Sequence, residues 1–310
     1  MKVYINGQLW QDKDGQELHA HGGHILEYDG WYYWYGEDRR ENYYVSCYRS
    51  KDLNDWEFCN HVLTTESKTA EYRVRTKRML INEDGTKVNL ERPKVLFNEK
   101  TGKFVMWIHF ENGKDYRDAA CAVAVSDTPD GDFTYYGHFN PFGYMARDCT
   151  LFKDEDGTAY FIAAARDNAD LHVYRLSEDY LNITALVHKL WQGEYREAPA
   201  IAKYQGKYYM LSSFCTGWTP NQGKYAVASS MEGPWSDLME IGDQTTFNSQ
   251  PTFLLAIGDQ LLYWGDRWQG NAPAYFQSGY TVFPLTLKDD RLVMAFKEKV
   301  RFENNIANFE

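Results

Sequence analysis

Residues 147–165 read RDCTLFKDEDGTAYFIAAA, which is an apolar run, a turn centred on Gly157 and a second apolar run. The same pattern occurs five times, and the other copies occupy residues 21–37, 91–110, 197–214 and 249–268. The turn glycines, at intervals of 72, 55, 49 and 52 residues, are Gly30, Gly102, Gly157, Gly206 and Gly258. Units of about 50 residues, each built from short strands, are typical of a β-propeller.

Each of the first four copies continues into two further strands, joined by a turn that contains serine and an acidic residue, such as SKDLND at residues 50–55. We therefore expect an all-β fold: a five-bladed β-propeller with four-stranded antiparallel blades around a central axial pocket. No Pro-, Gly- or Ser-rich linker divides the chain, so residues 1–310 are expected to form a single domain. A strand from residues 3–9, or one near Val300, is expected to complete a blade and close the ring.

The longest break in the repeat covers roughly residues 62–90 and includes Arg73, Arg75, Lys77 and Arg78. Long insertions in propellers often shape the rim of the pocket. The alternative is a surface hairpin with solvated charges.

Composition excludes several classes of partner. The net charge of −11 argues against nucleic acid and against an anionic membrane surface, and no window is apolar enough to cross a bilayer. The first residues, MKVYINGQLW, lack the pattern of a signal peptide, and the five scattered cysteines are typical of reduced core thiols. These observations favour a cytoplasmic protein.

The 24 tyrosines and 10 tryptophans suit strands and also offer flat faces to sugar rings.

One position in each repeat lies eight to eleven residues before the turn glycine. The residues there are Gly22, Glu91, Asp148, Glu197 and Gln250. If each blade directs this position towards a common axis, three carboxylates from distant parts of the chain meet in one pocket. Glycoside hydrolysis generally needs one carboxylic acid and one base or nucleophile. The candidate catalytic residues are therefore Glu197, Asp148, Glu91 and Gln250.

Their roles differ with their surroundings. Glu197, in Glu-Ala-Pro, is the candidate acid, with an ion pair to Arg196 as its structural alternative. Asp148 could keep that acid protonated by like-charge proximity, or bind a sugar hydroxyl. Glu91 could be a base, a water holder or a hydroxyl ligand, or it could pair with Arg92. The amide of Gln250 is too weak a base to deprotonate water, although it can orient a water molecule.

Other polar and aromatic residues are candidates for substrate binding. Asp266 and Arg267 follow the fifth turn, and at least one of Trp218, Trp264 and Trp268 is expected to stack on a sugar. His19, His21 and His24 lack the further ligands of a zinc site, so no metal site is expected there. His21 and Gly22 are expected at the pocket floor, with His21 as a hydrogen-bonding group.

Seven motifs, in this order and register, resemble glycoside hydrolase family 43. They are AHGG (20–23), YYWYGE (32–37), YRSKDLNDW (48–56), ERPKV (91–95), RDCTLFKDEDG (147–157), EAPAI (197–201) and SQPTF (249–253). The resemblance implies a five-bladed propeller that cleaves glycosides with inversion, with Asp148 as the pKa modulator and Glu197 as the acid. The family's base is usually an aspartate in a His-Asp-Pro pattern, but the matching stretch here is His21-Gly22-Gly23.

This departure resembles the branch of exo-β-1,3-galactanases, which implies Glu91 or Gln250 for the role of the base. The expected function is an exo-acting, inverting release of galactose from β-1,3-galactan or its oligosaccharides. An α-L-arabinofuranosidase or β-xylosidase on the same scaffold is one alternative, and a non-catalytic sugar-binding propeller is another. No cofactor is expected to be required, and a structural calcium ion is implied by the resemblance only. The expected partner is an oligosaccharide or polysaccharide substrate.

Overall fold

The described chain consists of short strands. The computed structural model describes residues 2–71 and 76–310, which form 23 strands, numbered β1 to β23 in chain order, and two short 3-10 helices at Pro141–Gly143 and Ala274–Gln277. Within these ranges, no helix has the length and apolar character needed to cross a membrane. The prediction of an all-β fold is confirmed.

Five sheets each contain four consecutive antiparallel strands, and we call them blades one to five. Blade one contains β2 (His21–Tyr28), β3 (Trp31–Glu37), β4 (Tyr43–Ser50) and β5 (Glu57–Thr64). Blade two contains β6 (Asn89–Asn98), β7 (Lys103–Glu111), β8 (Ala120–Ser126) and β9 (Thr134–Phe139). Blade three contains β10 (Cys149–Lys153), β11 (Ala159–Ala165), β12 (Asp170–Leu176) and β13 (Ile183–Leu190).

Blades four and five follow the same pattern. Blade four contains β14 (Arg196–Tyr204), β15 (Lys207–Phe214), β16 (Gly223–Ala228) and β17 (Met239–Ile241). Blade five contains β18 (Gln250–Ile257), β19 (Gln260–Arg267), β20 (Gly279–Lys288) and β21 (Arg291–Met294). The prediction of four-stranded antiparallel blades is confirmed for these five sheets.

A sixth sheet corrects the predicted number of blades. It has three strands, β1 (Tyr4–Ile5), β22 (Lys299–Glu303) and β23 (Ile306–Phe309), and Tyr4 pairs with Val300. The described chain thus has six sheets, and the prediction of five blades is wrong. The reason is that blade five draws its fourth strand from Arg291–Met294, so the segments near Tyr4 and Val300 are not needed to complete it and pair with each other.

The turns explain why the repeated stretches fold as hairpins. At the turn between β2 and β3, both Asp29 and Gly30 have positive φ, of 50° and 73°. Gln205 and Gly206 repeat this arrangement between β14 and β15, with φ of 47° and 77°. Two consecutive left-handed residues are the signature of a type I′ turn, whose twist matches that of the flanking strands. The glycine-centred turns expected from the sequence are confirmed.

Contacts between residues divide the chain into two units. Unit one comprises Met1–Leu18, Ser50–Glu57 and Ala198–Glu310, and unit two comprises His19–Arg49 and Phe58–Glu197. Unit two holds blades two and three and most of blade one, and unit one holds most of blade four, blade five and the three-stranded sheet. The expectation of a single domain over residues 1–310 stays a prediction.

Each unit has apolar layers between successive blades. In unit two, Tyr35 and Met106 belong to the layer between blades one and two, and Trp107 and Phe161 to the layer between blades two and three. In unit one, a third layer lies between blades four and five. Most aromatic side chains of the repeats therefore fill the space between sheets.

Described residues on both sides of positions 72–75, in the insertion between blades one and two, pair with the outer strand of blade two. Thr69 forms a parallel bridge to Tyr135, and Lys77 forms an antiparallel bridge to His138. Of the four charged residues singled out above, Arg73 and Arg75 lie outside the described residues. The described part of the insertion thus extends the outer edge of blade two.

Candidate active site

Glu91 lies near the start of β6, and its buried carboxylate is held by three side chains. Its Oε1 accepts hydrogen bonds from Arg39 Nη2 at 3.1 Å and from the hydroxyl of Tyr116 at 3.0 Å. Its Oε2 lies 3.4 Å from the Nδ1 of His109, the residue opposite Glu91 on β7. The carboxylate is therefore fixed in one orientation at this end of blade two.

Asp148 directly precedes β10 and reaches the same group of residues. Its Oδ2 pairs with Arg92 Nε at 2.8 Å, and its Oδ1 lies 3.8 Å from His109 Nδ1. Two of the predicted carboxylates, Glu91 and Asp148, thus come together at one nitrogen, Nδ1, of the His109 imidazole. Arg92, which was the alternative ion-pair partner considered for Glu91, pairs with Asp148.

His109 is the centre of this group, which we call the acidic cluster: Glu91, His109, Glu111 and Asp148. The Nε2 of His109 lies 3.0 Å from Oε1 of Glu111, a carboxyl group with no solvent exposure. Burial would lower the pKa of His109, but the hydrogen bond to Glu111 and the neighbouring carboxylates outweigh it and raise that pKa. Burial raises the pKa of Glu111. The imidazole is therefore biased towards its cationic form.

The acidic cluster is also the one group of described residues with the spacing of a metal site. Ligand atoms of Glu91, His109 and Asp148 all lie within 4.8 Å of one another. Calcium takes about six to eight oxygen ligands. Here one donor is a nitrogen, and each carboxylate already faces a guanidinium group, from Arg39 or Arg92. The cluster fits a calcium ion poorly.

Gly22 occupies the place where the family usually has an aspartate, and a side chain there would meet the carboxylate of Glu37. Gly22 has a φ of 58°, and a Cβ atom on it would lie 2.5 Å from Oε1 of Glu37. That carboxylate accepts hydrogen bonds from the backbone N–H of Arg92 at 3.0 Å and from Arg39 Nε at 2.9 Å. Lys94 Nζ donates to the Gly22 carbonyl at 2.6 Å. The buried carboxylate of Glu37 thus fills the space beside Gly22.

Glu197 is the second residue of β14 and is 8% exposed. Asn168, in the turn between β11 and β12, donates from Nδ2 to Oε2 of Glu197 at 3.0 Å. The next residue, Ala198, has a φ of 52°, which marks a local kink of the strand. Burial lowers the pKa of the adjacent Arg196 to about 10, against the charges of Glu194 and Glu197. The acid role of Glu197 stays a prediction.

The three histidines near the start of blade one, His19, His21 and His24, differ in their surroundings. His21 is 1% exposed, and it lies opposite Glu37 in the backbone pairing of β2 with β3. Burial lowers the pKa of His19 to about 4 and that of His24 to about 3. The Nδ1 of His24 accepts from the N–H of Val95 at 3.4 Å. His21 is therefore the register partner of Glu37, the residue whose carboxylate lies beside Gly22.

Gln250 belongs to unit one, where it is held between two side chains. Its Nε2 donates to Ser213 Oγ at 3.0 Å, and its Oε1 accepts from Trp268 Nε1 at 2.8 Å. Trp218 lies edge-on to Trp268, with ring centroids 5.5 Å apart. Gln250, Trp218, Trp268 and Asp266 line a common pocket. The amide group of Gln250 is thus fixed in orientation.

The remaining candidates of unit one have structural partners. Thr252 Oγ1 donates to Oδ2 of Asp266 at 3.1 Å, and Arg267 Nη2 donates to the carbonyl of Phe247 at 3.1 Å. Trp264 is 1% exposed and stacks on Phe253. Of the three tryptophans, Trp218 and Trp268 are partly exposed. Substrate contacts of these residues stay predictions.

Sequence reasoning missed five residues that surround the predicted carboxylates. They are Glu37, Arg39, His109, Glu111 and Tyr116. Glu37 lies within the motif YYWYGE, and His109 and Glu111 end the apolar stretch of the second repeat. Glu37, His109 and Glu111 thus stand at the ends of repeated stretches, which is the signal that could have pointed to them, whereas Arg39 and Tyr116 lie in irregular segments.

Three comparisons with known proteins bear on this site. The model of glycosyl hydrolases family 43 matches residues 19–252. Among solved structures, an exo-β-1,3-galactanase from Clostridium thermocellum is 42% identical, with a TM-score of 0.89, over 98% of this chain and 68% of that chain. The search of curated proteins gave no match.

Two further solved structures are similar over nearly the whole chain. The exo-β-1,3-galactanase from Phanerochaete chrysosporium, solved with galactose, is 34% identical, with a TM-score of 0.88, over 100% of this chain and 71% of that chain. A family 43 β-1,3-galactosidase solved with galactodeoxynojirimycin is 31% identical, with a TM-score of 0.83, over 95% of this chain and 99% of that chain. The resemblance inferred from the motifs is confirmed. The chain belongs to glycoside hydrolase family 43 and is a glycosidase.

Proposed function

We propose that this glycosidase is exo-acting and releases galactose, with inversion, from β-1,3-linked galactan or its oligosaccharides. The observation that carries the proposal is the 42% identity to an exo-β-1,3-galactanase over 98% of the chain. The absence of a side chain at Gly22, beside the buried carboxylate of Glu37, supports the same branch of the family.

In the proposed reaction, Glu197 gives its proton to the oxygen of the leaving sugar as the glycosidic bond breaks. A water molecule attacks the anomeric carbon from the opposite face and loses a proton to the base. Asp148, which faces Arg92 and His109, tunes the acid or binds a sugar hydroxyl. Glu91 is a candidate to hold the attacking water, because its carboxylate is fixed by Arg39 and Tyr116.

Gln250 is the other candidate for the water. An amide cannot take up the proton at neutral pH, so Gln250 could only orient the attacking molecule. Its two hydrogen bonds, to Ser213 and Trp268, support such an orienting role.

The test is hydrolysis of β-1,3-galactobiose and galactotriose beside aryl α-L-arabinofuranoside and β-xyloside, with the released anomer followed by NMR. We expect α-galactose to appear first, because inversion at a β-linked galactoside gives the α-anomer. Cleavage of the pentosides alone would contradict the choice of substrate. Binding of galactose without hydrolysis of any substrate would identify a sugar-binding protein instead.

A further inference from the structure

A cavity of about 420 Å³ opens at the outer half of blade two. It is lined by the insertion that interrupts the repeat, by the segment between β7 and β8, and by the end of β9. Its lining residues include Lys77, Asn82, Phe139, Asn140 and Met145. The cavity is separate from the acidic cluster, and none of the roles proposed above involves it.

The pairing of the strands in blade two gives the distance between this cavity and the acidic cluster. Glu91 pairs with His109, His109 with Cys121, and Cys121 with Phe139, so the four residues form one row across blade two. Neighbouring strands lie about 4.8 Å apart, which places Phe139 roughly 14 Å from Glu91 along this row. Both lie at the same end of the sheet. A short oligosaccharide can span this separation.

The segment between β7 and β8 connects the two places. Tyr116 donates a hydrogen bond to Glu91 at 3.0 Å, and the next residue, Arg117, lines the cavity. Arg147 Nη2 fixes the segment by donating to the carbonyl of Tyr116 at 2.8 Å. A ligand that leaves the acidic cluster along this segment therefore reaches the cavity.

The lining combines acceptors, a donor and an apolar surface. Asn82 and Asn140 use their Nδ2 groups to hold backbone carbonyls, and within residues 2–71 and 76–310 no group donates to either amide oxygen. In the same residues, the Nζ of Lys77 has no hydrogen bond or ion pair. Phe139 and Met145 are partly exposed. The lining thus offers two amide oxygens that can accept from sugar hydroxyls, one ammonium group that can donate to them, and an apolar surface. Such a combination suits a sugar ring, which has polar edges and apolar faces.

We propose that this cavity binds a saccharide unit of the substrate that is remote from the galactose being released. The proposal rests on the proposed function, because it extends the same substrate beyond the acidic cluster. Burial, and secondarily Lys77, lower the pKa of His138, which also lines the cavity, to about 4.

The experiment compares galactobiose with a β-1,3-galactohexaose for the wild type, Lys77→Ala and Met145→Trp. The first variant removes a donor and the second fills the cavity. Lys114→Ala is the matched control, because Lys114 is exposed, lies in the segment between β7 and β8 and pairs with Asp84, and neither of these two residues lines the cavity. Hydrolysis of galactobiose, which is too short to reach the cavity, tests the proposed function separately.

We expect both cavity variants to lower kcat/KM on the hexaose by about fivefold, through KM, as for the loss of one or two hydrogen bonds. On galactobiose they should match the wild type and Lys114→Ala within about twofold. Equal ratios of hexaose to galactobiose activity in all four proteins would overturn the proposal. So would an equal loss on both substrates, because it would show a general defect rather than a lost binding site.

Discussion

His109 Nε2 lies 3.0 Å from Oε1 of Glu111, while its Nδ1 lies 3.4 Å from Oε2 of Glu91. The imidazole thus bridges a fully buried carboxyl group and a carboxylate that contacts Tyr116 and Arg39. Because Asp148 also faces Nδ1, one histidine lies among three acidic side chains. The charge state of His109 therefore couples the stability of blade two to the arrangement of the predicted catalytic carboxylates.

We predict a pH-dependent loss of stability for Glu111→Gln. The raised pKa of His109 means that its protonation stabilises the fold below about pH 6.5, and that this contribution is lost as pH rises through the raised pKa. Removing the charge of Glu111 should lower the free energy of unfolding by about 2 kcal/mol at pH 6 and by less at pH 9. Urea unfolding at the two pH values measures the difference.

The control for this prediction is Glu178→Gln. Glu178 pairs with Lys100, and both side chains are largely exposed, so little change is expected at either pH. A loss for Glu111→Gln that is the same at pH 6 and pH 9 would show that the buried hydrogen bond alone, and not the charge of His109, is responsible.

We predict that Glu197→Gln loses activity by a factor of roughly 10² or more on substrates with poor leaving groups, because glutamine cannot donate the proton. Glu194→Gln is the matched control, since Glu194 is an exposed glutamate three residues earlier. It should keep nearly full activity. Kinetics on galactobiose and on an aryl galactoside with a good leaving group check the assignment, and equal losses on both substrates would contradict it.

A third experiment distinguishes between Glu91 and Gln250, the two candidates for positioning the attacking water molecule. We expect Glu91→Ala to lose about 10² to 10⁴ in kcat, as for a lost general base, and Gln250→Ala to lose less. Added azide, which needs no deprotonation, should restore turnover to Glu91→Ala as a galactosyl azide. Rescue of Gln250→Ala alone would assign the water to Gln250 and leave Glu91 as a binding residue.

A fourth prediction concerns the space beside Gly22. In Gly22→Ala, the alanine would adopt a left-handed backbone conformation and its Cβ would clash with the Glu37 carboxylate. Gly30 also has a positive φ, but no atom lies within 4 Å of the position of its Cβ. Gly30→Ala should cost about 1 kcal/mol and Gly22→Ala about 1–3 kcal/mol more. Thermal unfolding of the two variants measures this. Equal losses would show that Glu37 moves aside without cost.

The register of the repeats was readable from the sequence, and it located Glu91 and Asp148 correctly relative to one another. Counting outwards from the turn at Gly102, however, places Phe110 opposite Glu91. The structure has His109 there, because the pairing shifts by one residue between Glu91 and Lys94, where Arg92 has a φ of 53°. A bulge of this kind moves a side chain to the other face of the sheet and leaves no clear trace in an apolar pattern.

Other parts of the site depend on contacts between distant segments. Arg39 and Tyr116 lie outside the repeats, so nothing in the periodicity pointed to their contacts with Glu91. The space beside Gly22 could not be assigned from sequence, because it is filled by Glu37 from the neighbouring strand. The number of sheets was missed for a related reason: the strands near Tyr4 and Val300 carry no copy of the repeat.

The pairing of Tyr4 with Val300 also sets an order of events during synthesis. The first strand emerges from the ribosome long before its partner exists, and the three-stranded sheet can form only after residues 299–309 have been made. Until then, Val3 and Ile5, both exposed in the finished protein, belong to an unpaired edge that other chains could bind. Removing the residues around Tyr4 would leave β22 and β23 as a two-stranded hairpin, which is marginal by itself.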